Sequence, residues 1–259
     1  MFTKKQARKA FSSNIEQLES RRLLSSATLS GGVLTVLGSQ NQDDITISLR
    51  AGNTSQLSVD LNGAVSNFNI SAIDSIFVYG RTGDDTIVVS NENGVVPMAM
   101  FLGGGADKDI IVGGNFADTL RGGEADDELT GGRGNDSLGG DDANDILTGG
   151  IGDDFLFGGP GNDEIFGNGG ADFLKGGADN DRLFGGNNND QLWGNEGNDS
   201  LLGGDGNDFL VGGQDDDDLD GEAGSDELFG QLGNDDFFGD PDEVQDLAVT
   251  DNGSNDVTA

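Results

Sequence analysis

The sequence contains no cysteine and no histidine, and each absence excludes a class of chemistry. Without cysteine the chain has no disulfides and no thiolate metal sites. Without histidine it lacks the usual zinc ligand and the most common general base. No run of about 18 strongly apolar residues occurs, so a membrane-spanning helix is not predicted. Stability must therefore come from oxygen ligands and from repetition.

Basic residues are also scarce. Only 13 Lys and Arg stand against 48 Asp and Glu, which gives a formal net charge of -35 over 259 residues. Nucleic acid and anionic membranes are poor partners for this chain because they carry the same sign of charge. Hydrophobic residues make up 34% of the sequence, so a conventional core would be small. A hard cation is the natural counter-charge.

Residues 1–30 form a separate basic segment, which holds six of the 13 basic residues within its first 22 positions. The run from Ile15 to Ser26, IEQLESRRLLSS, resembles the LEPRxLLS motif at the N-terminus of secreted or surface proteins of planctomycete-type bacteria. Ser20 stands where that motif usually has proline. The resemblance implies export, and a short amphipathic or disordered tail is the alternative.

Residues 31–103 alternate apolar and polar positions between turn signals, which predicts short strands. The predicted strands are 33–37, 45–49, 57–61, 65–70, 76–79, 86–89 and 95–102. Two degenerate nonapeptides, beginning at Gly38 and Gly80, place Asp43 and Asp85 at their sixth positions. We therefore expect irregular first coils that cap a downstream repeat array. A separate small β-sandwich is the alternative.

A phased repeat dominates the rest of the chain. From Gly104 to Phe238 the sequence consists of fifteen nonapeptides without insertion or deletion. In all fifteen, position one is Gly, position six is Asp and position eight is Ile, Leu or Phe. Positions two and four are mostly Gly, and position five is mostly Asn or Asp. A fixed period excludes a disordered acidic tail and indicates stacked structural repeats.

Each nonapeptide combines a turn with a strand. Its glycines permit positive φ and a tight turn, and the remaining three residues form a short strand whose eighth residue points inward. Two units make one coil, which predicts an all-β solenoid with two facing parallel sheets. Aspartate carboxylates and carbonyl oxygens of stacked turns form an all-oxygen cage, which suits Ca²⁺ better than Mg²⁺.

The repeat unit is almost complete at 131–139 (GGRGNDSLG) and 203–211 (GGDGNDFLV). It resembles the repeats-in-toxin (RTX) family of calcium-binding β-rolls, and the resemblance implies that the all-β fold is a right-handed parallel β-roll. The resemblance implies that the sixth-position aspartates are metal ligands and that the turns add carbonyl oxygens. With Asp85 upstream, these aspartates are Asp109, Asp118, Asp127, Asp136, Asp145, Asp154, Asp163, Asp172, Asp181, Asp190, Asp199, Asp208, Asp217, Asp226 and Asp235.

The gaps between successive turns set an upper number of about thirteen calcium ions for the array. Some turns depart from the consensus. Seven residues replace the fourth-position glycine, and we expect them to strain their turns or weaken their sites. They are Asp107, Phe116, Ala125, Ala143, Asp179, Asn188 and Asp215.

Aromatic residues recur at the outward positions seven and nine of the repeat. They are Phe155, Phe157, Phe166, Phe173, Phe184, Trp193, Phe209, Phe229 and Phe238. One interpretation is an exposed stripe for a partner or for stacking on glycans. The other is a set of cross-strand ladders that strengthen a thin core. Residues 239–259 are expected to form a C-terminal cap or tail in which Pro241 ends strand pairing.

The expected function is calcium binding by a secreted or cell-surface structural or adhesive protein that folds on binding extracellular calcium. The expected partners are calcium and components of the cell surface or matrix. The alternative is an accessory module of an RTX-type exported enzyme, such as a protease, lipase or polysaccharide-modifying enzyme. No enzymatic activity is expected, since HExxH and GxSxG motifs are missing and the ligand role accounts for the carboxylates.

Overall fold

The computed structural model of the protein describes residues 25–238 and two short strands beyond them, Leu247–Val249 and Asp256–Thr258. The basic segment up to residue 24, with most of the export-like motif, lies outside the described residues. One short 3-10 turn, Ile70–Ala72, interrupts an otherwise all-β description. No helix in the described residues is long and apolar enough to cross a membrane.

The strands are short and follow one another closely along the chain. In chain order they are β1 Ser26–Ser30, β2 Val33–Leu37, β3 Asp44–Arg50, β4 Asn53–Leu61, β5 Ala64–Asn69, β6 Ser75–Thr82, β7 Thr86–Ser90, β8 Met100–Ala106, β9 Ile110–Val112, β10 Thr119–Glu124, β11 Glu128–Arg133, β12 Ser137–Asp142, β13 Ile146–Ile151, β14 Phe155–Pro160, β15 Glu164–Gly169, β16 Phe173–Ala178, β17 Arg182–Asn187, β18 Gln191–Glu196, β19 Ser200–Gly206, β20 Phe209–Gln214, β21 Asp218–Gly224, β22 Glu227–Leu232, β23 Asp236–Phe238, β24 Leu247–Val249 and β25 Asp256–Thr258.

Two sheets share all of these strands. Sheet one runs in the order β1, β2, β6, β8 and then through the even-numbered strands to β24. Sheet two runs from β25 back through the odd-numbered strands to β7, and then through β3, β4 and β5. Successive repeats alternate between the sheets and pair in parallel with the repeat one coil away, as Leu129 pairs with Leu147. The predicted parallel β-solenoid is therefore confirmed.

The strands upstream of the array lie in the same two sheets. β2 and β6 continue sheet one ahead of β8, while β3 and β7 continue sheet two ahead of β9, the first strand wholly within the array. Three antiparallel strands finish this end: β1 pairs with β2, β4 with β3, and β5 with β4. Antiparallel strands at the end of a solenoid cover edges that would otherwise pair with another chain. The predicted strand over 95–102 is shorter at its start, because β8 begins at Met100.

A repeat strand is six residues long in most units, which corrects the predicted three. β13, for example, runs from position seven of one repeat to position three of the next. Along it the residues at positions eight and one are buried, as in Leu147 and Gly149. The first glycine is thus an inward-facing strand residue and not part of a turn with positive φ. Positive φ occurs at positions two and four instead, as at Gly150 and Gly152.

The core is a column of eighth-position side chains between the two sheets. The residue at position eight of each repeat, from Ile111 to Phe237, is at most 2% exposed. Upstream of the array, a strand buries two apolar side chains where a repeat strand buries one, as Leu34 and Val36 do in β2. Within the repeats the second inward position is glycine, so less apolar surface is buried per coil.

The prediction that Pro241 ends strand pairing is wrong. β24 pairs in parallel with β22, and β25 pairs in parallel with β23. Pro241 precedes both strands in the sequence and itself lies outside the described residues.

Candidate metal centre

The sixth-position aspartates form two continuous columns along the edges of the solenoid. In each column the Oδ1 atom of one aspartate accepts the backbone N–H of the equivalent residue one coil earlier. Asp145 donates to Asp163 at 2.8 Å, and Asp163 donates to Asp181 at 2.8 Å. Ladder one consists of Asp43, Asp85, Asp109, Asp127, Asp145, Asp163, Asp181, Asp199, Asp217 and Asp235. Ladder two consists of Asp118, Asp136, Asp154, Asp172, Asp190, Asp208 and Asp226.

These carboxylates are buried, and none of them is more than 2% exposed. A buried carboxylate is costly unless hydrogen bonds or a cation compensate it. Oδ1 has its backbone donor, but the second oxygen of many of these residues has no hydrogen-bond partner in the described chain. The residues with such an Oδ2 are Asp85, Asp109, Asp127, Asp136, Asp145, Asp154, Asp163, Asp172, Asp181, Asp190, Asp199, Asp208 and Asp217.

The first glycine of each repeat leaves space beside this oxygen. A Cβ at Gly203 would lie 2.5 Å from Oδ2 of Asp208 and 2.8 Å from the carbonyl oxygen of Gly221 in the next coil. A carboxylate oxygen and a carbonyl oxygen from neighbouring coils therefore border the same small volume. Two oxygens from different coils are the start of the all-oxygen set that Ca²⁺ requires.

The turns bring further carbonyl oxygens into line. A Cβ at Gly150 would overlap the carbonyl oxygen of Gly132, and one at Gly152 would overlap that of Gly134. Positive φ at positions two and four is what directs these carbonyls from one coil toward the next. In the described residues no group of three or more Asp or Glu side chains converges on a metal position. A calcium site here therefore needs backbone carbonyl oxygens to complete its ligand set.

Six of the seven residues that replace the fourth-position glycine have positive φ, a conformation that strains a non-glycine residue. Asp107, Ala125, Ala143, Asp179, Asn188 and Asp215 hold φ between 72 and 86°, the left-handed region that costs a non-glycine residue most when it has no polar side chain. Phe116 does not adopt positive φ, and neither does Gly114 in the same repeat. That repeat consequently has a different turn.

The altered turn changes the environment of Asp118. Its Oδ1 accepts the N–H of Met100 at 2.7 Å, and its Oδ2 accepts the N–H of Gly114 at 2.7 Å. Asp43, at the start of ladder one, is satisfied in a similar way by Asn62 and Ser39. Both oxygens of these two carboxylates are already bonded to the chain, so they fit a metal less well than the other ladder residues.

Burial and charge repulsion raise the pKa values of many ladder aspartates. Burial, followed by like charges such as the neighbouring Asp163, raises the pKa of Asp145 to about 8. Burial likewise raises the pKa of Asp136 to about 7, against the lowering effect of its backbone hydrogen bond. At neutral pH such groups need a proton or a cation, and they are in this respect suited to calcium.

The fold and these turns define a class of protein: a parallel β-solenoid whose stacked turns present buried carboxylates and carbonyl oxygens to cations. The RTX calcium-binding nonapeptide repeat matches the chain at residues 103–138, 139–174, 166–201, 175–210 and 211–242, which together make up more than half of it. The chain therefore belongs to the RTX calcium-binding repeat family, and its repeats bind calcium. A search of curated proteins gave no match.

Sequence reasoning identified the ladder aspartates but missed the role of the first glycine. The signal was present, because position one is glycine in all fifteen repeats whereas positions two and four vary. Stricter invariance at position one indicates a constraint other than φ, and the structure shows it to be contact with the carboxylate. The donors that satisfy Asp43 and Asp118 left no comparable signal, because Asn62, Ser39 and Met100 lie upstream of the array and Gly114 is a consensus glycine.

Proposed function

We propose that the protein is a secreted or cell-surface structural protein that folds when its repeats bind extracellular calcium. The ladder aspartates other than Asp43 and Asp118 would be the side-chain ligands, and the turns would add carbonyl oxygens. The observation that carries the proposal is the row of buried Oδ2 atoms without hydrogen-bond partners. Each would gain a cation as its partner, with one ion between successive turns and up to about thirteen in the array.

Charge supports the same role. The array from Gly104 to Phe238 holds 33 acidic and 5 basic residues, a net charge of -28. About thirteen divalent ions would neutralise nearly all of it. Without them the chain repels itself and buries little apolar surface, so binding and folding are coupled.

The calcium concentration decides where folding takes place. Extracellular calcium-binding modules have dissociation constants on the order of 10⁻⁴ to 10⁻³ M, far above cytosolic calcium. A chain with such sites stays expanded before export and folds outside the cell. Adhesion to the cell surface or matrix is the use that we propose for the folded solenoid, because the match to a repeat family supplies no catalytic part.

Fractionation of cells that produce the protein, with and without a calcium chelator, tests this proposal. We expect the protein at the cell surface in calcium and in the medium after chelation. Retention in the cytoplasm under both conditions would contradict it. Circular dichroism of the purified chain is the companion measurement, and a full β-signal in the chelator at neutral pH would contradict calcium-dependent folding.

A further inference from the structure

The two outer faces of the solenoid differ in chemistry. Between β14 and β22, six of the ten side chains at positions seven and nine of sheet one are aromatic: Phe155, Phe157, Phe173, Trp193, Phe209 and Phe229. The charged residues among the ten are Lys175 and Glu227, which cancel. The same positions of sheet two, from β15 to β23, carry four acids and one base: Glu164, Asp218, Asp220, Asp236 and Arg182. A chain with net charge -35 thus keeps positions seven and nine of one face free of net charge.

The aromatic rings form one unbroken row across five strands, which we call the aromatic stripe. Neighbouring ring centroids are 5.2–6.0 Å apart from β14 to β22, with interplanar angles of 33–44°. Five strands at a spacing of about 4.8 Å make the stripe about 19 Å long. Sheet two has a single stacked pair in this region, Phe166 and Phe184, at 4.8 Å. Cross-strand packing accounts for a pair, but it does not account for the concentration of aromatic residues on one face.

Two adjoining grooves follow the stripe. One, of about 300 Å³, is lined by Trp193, Glu196, Gln214 and Gln231. The other, of about 420 Å³, is lined by Phe157 and again by Glu196. Both volumes fall in the range of ligand sites. The side chains of Glu196, Gln214 and Gln231 are exposed. Hydrogen-bond donors and acceptors therefore stand directly beside the rings.

Trp193 adds an unused donor. Its Nε1 is buried and has no hydrogen-bond partner in the described residues. An unpaired indole N–H is costly, and Trp usually finds a partner when it is buried. A rotation of the ring toward the groove would let a ligand hydroxyl supply the missing acceptor.

We infer that the aromatic stripe binds a neutral polysaccharide. Sugar rings have apolar C–H faces that stack on aromatic rings and hydroxyl edges that bond to amides and carboxylates. This face suits an uncharged ligand, because Lys175 is the one basic residue among its ten outward side chains and offers a polyanion little attraction, whereas a polycation is drawn to the acidic face of sheet two. This inference rests on the proposed calcium-folded solenoid and names the class of its partner.

Binding of neutral glycans to the calcium-loaded full chain tests the inference. The probes are microcrystalline cellulose in sedimentation, and hydroxyethyl cellulose, galactomannan and amylose in solution, with hyaluronate, which does not gel with calcium, as the polyanionic control. Trp193 is the sole tryptophan of the chain, so its fluorescence reports directly on the stripe. We expect at least one neutral glycan to bind and change this fluorescence, and hyaluronate to have no effect. Binding of none of the four, with a normal calcium-induced β-signal, would overturn the inference and leave the proposed function intact.

Matched double variants locate the site. Phe173→Ala with Phe209→Ala removes both neighbours of Trp193 and should weaken binding about tenfold or more, since each ring contact contributes to affinity. Phe166→Ala with Phe184→Ala removes the same two side-chain types from sheet two and should change binding less than about twofold. Equal losses in both, or no loss in the first, would overturn the assignment.

A third variant guards against a loss of folding. Gln214→Ala with Gln231→Ala leaves the rings in place. We expect this variant to bind glycan more weakly while the calcium concentration at the midpoint of folding stays unchanged. Unchanged binding in this variant would contradict the role of the grooves. Sedimentation velocity tests whether a second copy of the protein occupies the stripe instead of a glycan. A wild-type dimer that becomes monomeric in the Phe173→Ala and Phe209→Ala variant would assign the stripe to self-association and overturn glycan binding.

Discussion

A Cβ at Gly131 would lie 2.5 Å from Oδ2 of Asp136 and 2.7 Å from the carbonyl oxygen of Gly149 in the next coil. Real Cβ atoms do not approach oxygen so closely, and Gly131 does not have positive φ. The glycine at position one and the aspartate at position six of the repeat therefore depend on each other. Because the glycine has no side chain, it leaves room for the carboxylate beside the carbonyl oxygen of the next coil.

Alanine at the first position should therefore destabilise the calcium-bound protein. For Gly131→Ala we expect a loss of about 1–3 kcal/mol in the free energy of unfolding, because the methyl group displaces the carboxylate. Gly139→Ala is the matched control, since the three atoms nearest its Cβ would all belong to the flexible side chain of Arg121. Urea unfolding in saturating calcium measures both. Equal stability of the two variants would contradict the role given to Gly131.

Removing one ladder charge should remove calcium. Asp163→Asn keeps an oxygen to accept the N–H of Asp145 but loses the negative charge that faces the neighbouring turn. We expect one or two fewer ions per chain, on the principle that Ca²⁺ sites depend on the number of charged ligands. The control, Asp142→Asn, makes the same charge change at an exposed residue and should leave the count unchanged. Equilibrium dialysis measures the ions, and an unchanged count in the Asp163 variant would contradict its role as a ligand.

The phased repeat made much of this structure predictable. An apolar residue at position eight of every nonapeptide is enough to predict parallel strands and an inward-facing row of apolar side chains. Leu147 and Leu156 are buried as that pattern predicts. The length of the strands was not predictable in the same way, because glycine at positions one and two has no strand preference of its own. Those residues join the ladder because the neighbouring coils offer hydrogen bonds, an interaction that a single repeat does not contain.

Acidic pH should stabilise the calcium-free solenoid. The ordinary pKa of an aspartate is 3.8, and burial raises the pKa of Asp172 to about 6 and that of Asp190 to about 8. Between the unfolded and folded values the folded state holds more protons, so stability falls as pH rises. It is greatest below about pH 3.8 and is lost as pH passes through 6 to 8.

Circular dichroism in calcium-free buffer between pH 3.5 and 8 checks this dependence, with pH values chosen to bracket about 4 and about 8. We expect the β-signal to grow as the pH falls. A signal that is constant over the range, or that grows with rising pH, would show that the ladder carboxylates do not control folding. In saturating calcium the same scan should be nearly flat above neutral pH, because the ions replace the protons.

The upstream coils should remain folded without calcium. Asn62 and Ser39 already satisfy Asp43, and the guanidinium of Arg81 donates to the carbonyl oxygen of Gly38 at 3.4 Å, which places a cation of the chain itself between the first two turns of ladder one. These coils also bury more apolar side chains than the repeats do. Hydrogen exchange of the full chain in a chelator should show protection in β2 to β7 and none from β11 to β22. Protection of both regions, or of neither, would contradict the difference.

Calcium counted during folding tests the central claim most directly. The stripped full chain is titrated with calcium at about pH 7.5, where protons compete with calcium for the ladder carboxylates less than they do at acidic pH. The far-UV β-signal is followed together with the number of bound ions. We predict that most of the β-signal appears only with calcium and is complete when about ten to thirteen ions are bound. A full β-signal before calcium is added, or a complete one with no more than a single ion bound, would contradict the account.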